Sequence, residues 1–253
     1  VQLTNLEGNI KMEYSRIDAT AGNLDLRFST ISKIEVNGAR SGGTPLSQAA
    51  FVATGNVSIA PTRLHTAVYK DTGIVAGGTI AFTAPGSDIS IGFENSGAYA
   101  YNGDIRLDLA FNRNKVELSN ASLTAVAGQV SLVARGVESL LSASNTAVRA
   151  GTSVHVTSMA SKGEVKVSNG SIVAGGSILL EGVTASFDGS LLVENVQISG
   201  GSDIRLLTGY RGKTVVSGNR ITGAGLVQAA TNTWGVCEAN NNQVTAPLAQ
   251  LCL

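Results

Sequence analysis

The chain has 253 residues, with 18 basic and 18 acidic side chains and no net charge, so its charge balance gives no support to nucleic-acid binding. Apolar residues make up 43% but aromatics only 5%, against 30 glycines, so any large core must be built from Val, Ile, Leu and Ala. No apolar run approaches the length of a membrane span, and Val1 opens the sequence with neither Met nor a signal-like segment, which reads as a portion of a longer protein.

In chain order, an apolar residue, commonly preceded by Gly or Asn, opens an alternation about every 24 residues: Ile10, Ile34, Val57, Ile80, Ile105, Val130, Val154, Ile178, Ile204 and Leu226. All but Leu226 are followed two residues later by a second apolar residue; Gln228 is the exception. Period-two alternation is the signature of a strand with one buried face, and a fixed period of this size is the signature of a solenoid. The stretch 165–180, VKVSNGSIVAGGSILL, holds three such alternations separated by two small turns. A second column runs Leu123, Val148, Ile172, Ile198, Ile221, Val244, and a third Leu118, Leu141, Val165, Leu191, Val215. Three short strands per coil predict an all-β fold, a right-handed parallel β-helix of about ten coils over 1–227. The stretches 37–54, 60–73 and 84–103 look less regular and read as longer corner loops or a locally distorted region, not as a separate domain. The tail 228–253 reads as a separate C-terminal cap that covers the last strand edges.

Asn95, Asn120, Asn145, Asn169, Asn195, Asn219 and Asn242 recur with the same period. Asn tolerates the left-handed backbone region and bonds its neighbours in turns, so these positions predict an asparagine ladder at one corner. Three of the Asn residues that open glycosylation-like triplets (Asn56, Asn120, Asn169) read as turn chemistry. Cys237 and Cys252 lie together near the end of the chain. Their isolation there predicts one disulfide, hence an exported or surface location.

Little in the sequence points to catalysis, a metal or a cofactor. His65, expected in a loop, and His155, expected on an outward strand face, are far apart in the chain with no ligand-spaced Cys or carboxylate nearby. Asp104 and Asp203 occupy equivalent positions four coils apart, roughly 19 Å at ~4.8 Å per coil, which exceeds glycosidase carboxylate spacings. Asp88, Glu94 and Asp104 share one coil and are the remaining acidic candidates. Counting from each ladder residue places a cation five to eight residues on in most coils. Arg16, Arg40, Arg63, Arg113, Arg135, Lys162 and Arg211 then form an interrupted basic stripe, with Arg40, Arg63, Arg113, Arg135, Lys162 and Arg211 as ligand-binding candidates. An acidic polysaccharide would meet several of these at once.

The phrases VAGGTIAFTA (75–84), VAGGSILLEG (173–182), ATAGNLDLRF (19–28) and SGGSDIRLLTG (199–209) resemble the repeats of filamentous-hemagglutinin-type exoproteins. These are large β-helical adhesins exported by two-partner secretion. The resemblance implies an internal or C-terminal portion of a secreted or surface-attached adhesin, with a carbohydrate or host-matrix ligand. It also implies an outer-membrane transporter as partner, which a C-terminal cysteine pair like Cys237 and Cys252 helps to hold. Two other functions use the same fold: a polysaccharide lyase or hydrolase, and a phage tail fibre or spike. An acid cluster with an aromatic groove would favour the enzyme. The sequence instead offers one Trp and scattered Tyr residues, which favours a non-catalytic rod.

Overall fold

The computed structural model describes residues 1–38, 48–62, 64–84, 88–110, 113–182, 189–232 and 234–252. Strand accounts for 71% of the chain, and the sheets stack as a parallel β-solenoid of about nine turns. Each turn has three walls. The first includes Val57–Pro61, Ile80–Ala84, Ile105–Leu109, Ile178–Gly182 and Ile204–Thr208. The second follows it in the chain and includes Leu64–Lys70, Ile89–Glu94, Arg113–Ser119 and Ser190–Glu194. The third runs from Ile17–Ala19 through Gly97–Ala100 to Gln243–Thr245. Val130–Ser144 and Val154–Ser168 are single strands that serve both the first and second walls, pairing with neighbours in each.

The core consists of stacked like residues. On the first wall Leu24, Val57, Ile80, Ile105, Val130, Val154, Ile178, Ile204 and Val227 are in register, each at most 1% exposed. Burying such a side chain contributes about 1.5–3 kcal/mol, and β-branched residues suit a pleated surface packed on both flanks. The second column expected from the sequence stands as read: Leu123, Val148, Ile172, Ile198, Ile221 and Val244 pair in succession on the third wall. Near residues 51–93 the core is aromatic, with Phe51, Tyr69, Phe82 and Phe93 in contact and the Tyr69 and Phe93 rings stacked at 4.9 Å. The Tyr69 hydroxyl is buried without a partner, and burial holds the phenol above its usual pKa.

Several expectations change in detail. Ile10 and Ile34 pair with each other and Ile34 with Ala67, so they belong to the second wall; Val57 pairs with Leu24 instead. First and second walls carry the same apolar alternation, so the pattern alone does not tell them apart. At the far end Val227 and Ala229, not Leu226 and Gln228, point inward, which removes the one break in the alternation. Val215 likewise faces out, with Thr214 and Val216 inward, and Leu118 stands one inward position along from the Leu141–Val165–Leu191 column. The solenoid thus has about nine turns rather than ten. Of the stretches expected to be irregular, 39–47, 63 and 85–87 lie outside the described residues; the remainder includes the strands Ala49–Ala53, with a register shift between Ala49 and Phe51, Leu64–Lys70 and Gly97–Ala100. His65 is on one of these, exposed, rather than in a loop. Within the expected cap 228–253, Leu226–Thr231, Val236–Asn240 and Gln243–Thr245 form a further coil in register with the coil before, and Leu248–Leu251 adds a first-wall strand on Leu226–Thr231.

Candidate functional site: the corners and the outer faces

Between the second and third walls a tight corner recurs from turn to turn among the described residues. Asp71, Asn95, Asn120, Asn145, Asn169 and Asn195 all sit there at positive φ, between 48° and 53°. The Asn120 amide donates to the Asn95 side-chain oxygen (3.1 Å), and the Asn95 amide to Asp71 (3.0 Å). Asn219 and Asn242 are displaced by one residue. Ser217 pairs with Glu194 and with Asn240, so Gly218 and Asn241 hold the positive-φ corner. Asn219 and Asn242 turn inward instead. The Asn219 oxygen accepts from the Val196 N–H, its amide donates to the Val193 carbonyl, and the Asn242 oxygen accepts from the Asn219 N–H. The displaced pair therefore still links successive turns, chiefly through the backbone.

A second polar ladder lies where the third wall turns into the first, one residue before each inward ladder residue. Asn23 accepts from the Asn56 N–H (2.8 Å), Asn56 from Thr79 (2.7 Å), Asp104 from Gln129 (2.8 Å), and Asp203 from Leu226 (2.9 Å). These side-chain oxygens satisfy turn N–H groups that have no strand partner. The other oxygen of Asp104 pairs with Arg106, and that of Asp203 with Arg205. Both carboxylates are thus engaged in holding turns together. Asp88 and Glu94 are at opposite ends of one second-wall strand, and Asp104 is across the coil; the three do not converge. At this corner a Cβ on Gly201 would collide with the Gly175 carbonyl oxygen, so the close stacking requires glycine there.

The cation candidates divide between corners. Arg16 lies between the second and third walls, bonded to Asp18 at 2.7 Å. Arg40 and Arg63 fall outside the described residues. Arg113 and Lys162 share one column with Asp88 and Glu138, in the order Asp88, Arg113, Glu138, Lys162. Arg135 lies on the same corner, and Arg211 precedes the second-wall strand Lys213–Ser217 there. The corner alternates in sign instead of being uniformly basic. Arg113 pairs with Asp88 at 3.3 Å and Arg135 with Asp108 at 3.4 Å, both long for ion pairs. Arg211 lies over the Tyr210 ring at 5.4 Å, and Lys162 makes no ion pair among the described residues. A groove of about 450 Å³ opens here, lined by Asp88, Arg113, Asn114, Lys115, Glu138 and Lys162, among others. Asn114 is buried at its edge with its side-chain oxygen unpartnered.

A further pattern is present in the sequence and becomes plain only in the structure. Among the described residues, eight ion pairs join residues two apart in one segment: Lys11–Glu13, Arg16–Asp18, Asp25–Arg27, Lys33–Glu35, Asp104–Arg106, Lys115–Glu117, Glu164–Lys166 and Asp203–Arg205. Positions i and i+2 share a strand face, so a K-x-E or D-x-R triplet in a strand neutralises itself. These pairs leave the outer surface finely mixed in sign.

Cys237 points inward from the second wall of the last coil, opposite Thr214, and Cys252 follows the final first-wall strand, its N–H on the Ala229 carbonyl at 2.8 Å. The two form a disulfide with Cα atoms 5.1 Å apart. It joins the second wall of that coil to the first-wall strand Leu248–Leu251. Among the described residues no group of three or more His, Cys, Asp or Glu is arranged to hold a metal ion. No protein-family model, no curated protein and no solved structure matches this chain.

Proposed function

We propose that the chain is a non-catalytic rod of a secreted or surface-attached bacterial adhesin of the filamentous-hemagglutinin type. The observation that carries this reading is the use made of its acidic groups. Asp104 and Asp203 bond the next turn's backbone, and Asp88 is paired across turns. A repetitive, self-neutralised exterior suits a spacer that presents length and surface rather than one reacting pocket. The disulfide supports an oxidising compartment. The outer-membrane transporter remains the partner that the family resemblance suggests.

The ligand reading is an acidic polysaccharide lying along the corner of Arg113, Arg135, Lys162 and Arg211. Lys162 has its charge available, and the long ion pairs of Arg113 and Arg135 are exchangeable for a polymer's carboxylates or sulfates. The test is to incubate the purified chain with a panel of acidic and neutral glycans, and to follow both binding and new chain ends. Retention of acidic glycans that weakens with salt, with no chain cleavage, is the expected result. Reducing ends or unsaturated uronates appearing with turnover would replace the rod with a lyase or hydrolase. Joint reversal of Arg113, Arg135 and Lys162 to Glu should abolish retention; if it does not, this corner is not the contact.

A further inference from the structure

The outward face of the second wall carries its charges in an order that a single rod does not require. On Arg113–Ser119 the outward residues read Lys115, then Glu117; two turns on they read Glu164, then Lys166. Lys115 and Glu164 share a column through Leu140, and Glu117 and Lys166 share the next through Ser142. Either order makes an equally good in-strand ion pair, at 2.9 Å and 2.6 Å. The flanks differ as well. On one side of these two columns stand the long side chains Arg113, Glu138 and Lys162; on the other stand Ser119, Ser144 and Ser168. The short flank leaves a trough of about 480 Å³ lined by Gly92, Ser119, Ser142 and Ser144, among others.

We propose that two copies of the chain associate through this face, side by side with parallel axes, related by a two-fold axis that runs along the rods. That operation exchanges the two central columns within each turn. Lys115 of each copy meets Glu117 of the other, and Glu164 meets Lys166. The long flank of each copy lies over the serine trough of the other, so the dimer and an acidic polysaccharide are mutually exclusive occupants of Arg113 and Lys162. Leu140 meets Ser142. Asp88 meets Glu94, but both are already neutralised in their own rod, by Arg113 and Lys70. The antiparallel alternative pairs the central columns equally well, yet it sets Glu138 against Glu138 and Arg113 against Lys162. A strand of about five residues over about nine turns gives a face of roughly 700 Å² per rod, near the ~800 Å² per partner of a standard interface. The contact is isologous and closed, so association stops at the dimer. Its polar chemistry makes it weak and sensitive to salt.

The experiment is sedimentation equilibrium of the purified chain with its disulfide intact, with a swap variant carrying Lys115→Glu and Glu117→Lys together. The swap keeps the in-strand ion pair and keeps self-complementarity in the parallel arrangement. Parent and swap variant should therefore each dimerise, and a labelled parent should bind the swap variant at least about tenfold more weakly than it binds itself. Dimerisation of the parent should also weaken about tenfold from low to moderate salt. A parent that stays monomeric at high concentration overturns the proposal. So does cross-association as tight as self-association. A folded swap variant that fails to self-associate overturns the parallel arrangement, because only the antiparallel one sets the carboxylate introduced by Lys115→Glu against Glu164. Ser144→Arg, which fills the trough, supplies an independent check. It should weaken the dimer at least about tenfold with the parent's circular dichroism, and unchanged association would overturn the assignment of this face.

Discussion

At the residue scale, the fold rests on inward side chains with no alternative place to go. Val154 is fully buried between Val130 and Ile178. Val154→Asp buries a carboxylate with no partner and should cost several kcal/mol; chemical denaturation would read the loss, and a change near zero would place this side chain at the surface. Glu181 is a quieter case. It is half-buried on the outer side of the first wall, and burial raises its pKa above the usual glutamate value. A raised folded-state pKa means that the folded protein keeps the proton where the unfolded chain has lost it. The contribution is then complete below the unfolded value and is lost as pH rises through the folded one. Glu181→Gln should therefore melt higher than the parent at pH 7 and level with it at pH 4. Equal melting at both values would mean that this carboxyl is well solvated.

At the element scale, the corners decide whether one turn templates the next. Asp203 accepts from the Leu226 N–H and also faces Arg205. If the backbone bond is what matters, Asp203→Asn should be nearly neutral, while Asp203→Ala should cost about 1–2 kcal/mol. The exposed Arg205 pair adds little. Equal losses in the two variants would assign the role to charge. These corners also explain what is legible in advance. The run from Ile80 to Ile204 can be read because alternating apolar residues recur at nearly constant spacing. Ile10 and Ile34 fall on the wrong wall in a sequence reading because the loop between first and second walls varies in length while both walls share one pattern. Leu226 stands in for Val227 because two adjacent apolar residues leave the phase of a strand undetermined. Asn219 and Asn242 keep the period but not the position, since Gly218 and Asn241 satisfy the same left-handed corner. The cation stripe is legible in part. Counting from misplaced Ile10 and Ile34 puts Arg16 on another corner, and the acids Asp88 and Glu138 alternating with Arg113 and Lys162 become visible only once the turns are paired.

At the scale of the whole molecule, stability is passed from turn to turn, and the ends are the weak places. In the last coil Cys237, Val244 and Leu251 point inward but remain partly exposed, with no turn beyond them among the described residues. The disulfide closes a loop with a sequence separation of 15, worth about 3 kcal/mol in the chain-entropy model. Cys237→Ser, or reduction, should therefore release the segment 226–252 to hydrogen exchange while leaving protection at Val130–Ser144 unchanged. Uniform loss of protection would show that the solenoid unfolds as one unit.

The hydrogen bonds that join one turn to the next run along the length of the molecule, so a pull on its two ends loads them one turn at a time instead of sharing the load across all of them. A tether built this way yields in equal steps. Each turn of about 24 residues releases roughly 80 Å of chain at ~3.4 Å per residue before the next begins to carry force. The final turn differs, because the Cys237–Cys252 bond withholds the 15-residue separation it spans, shortening that step by roughly 50 Å. Under such a pull the chain would extend rather than snap, and the turn that holds the disulfide would give up the least length.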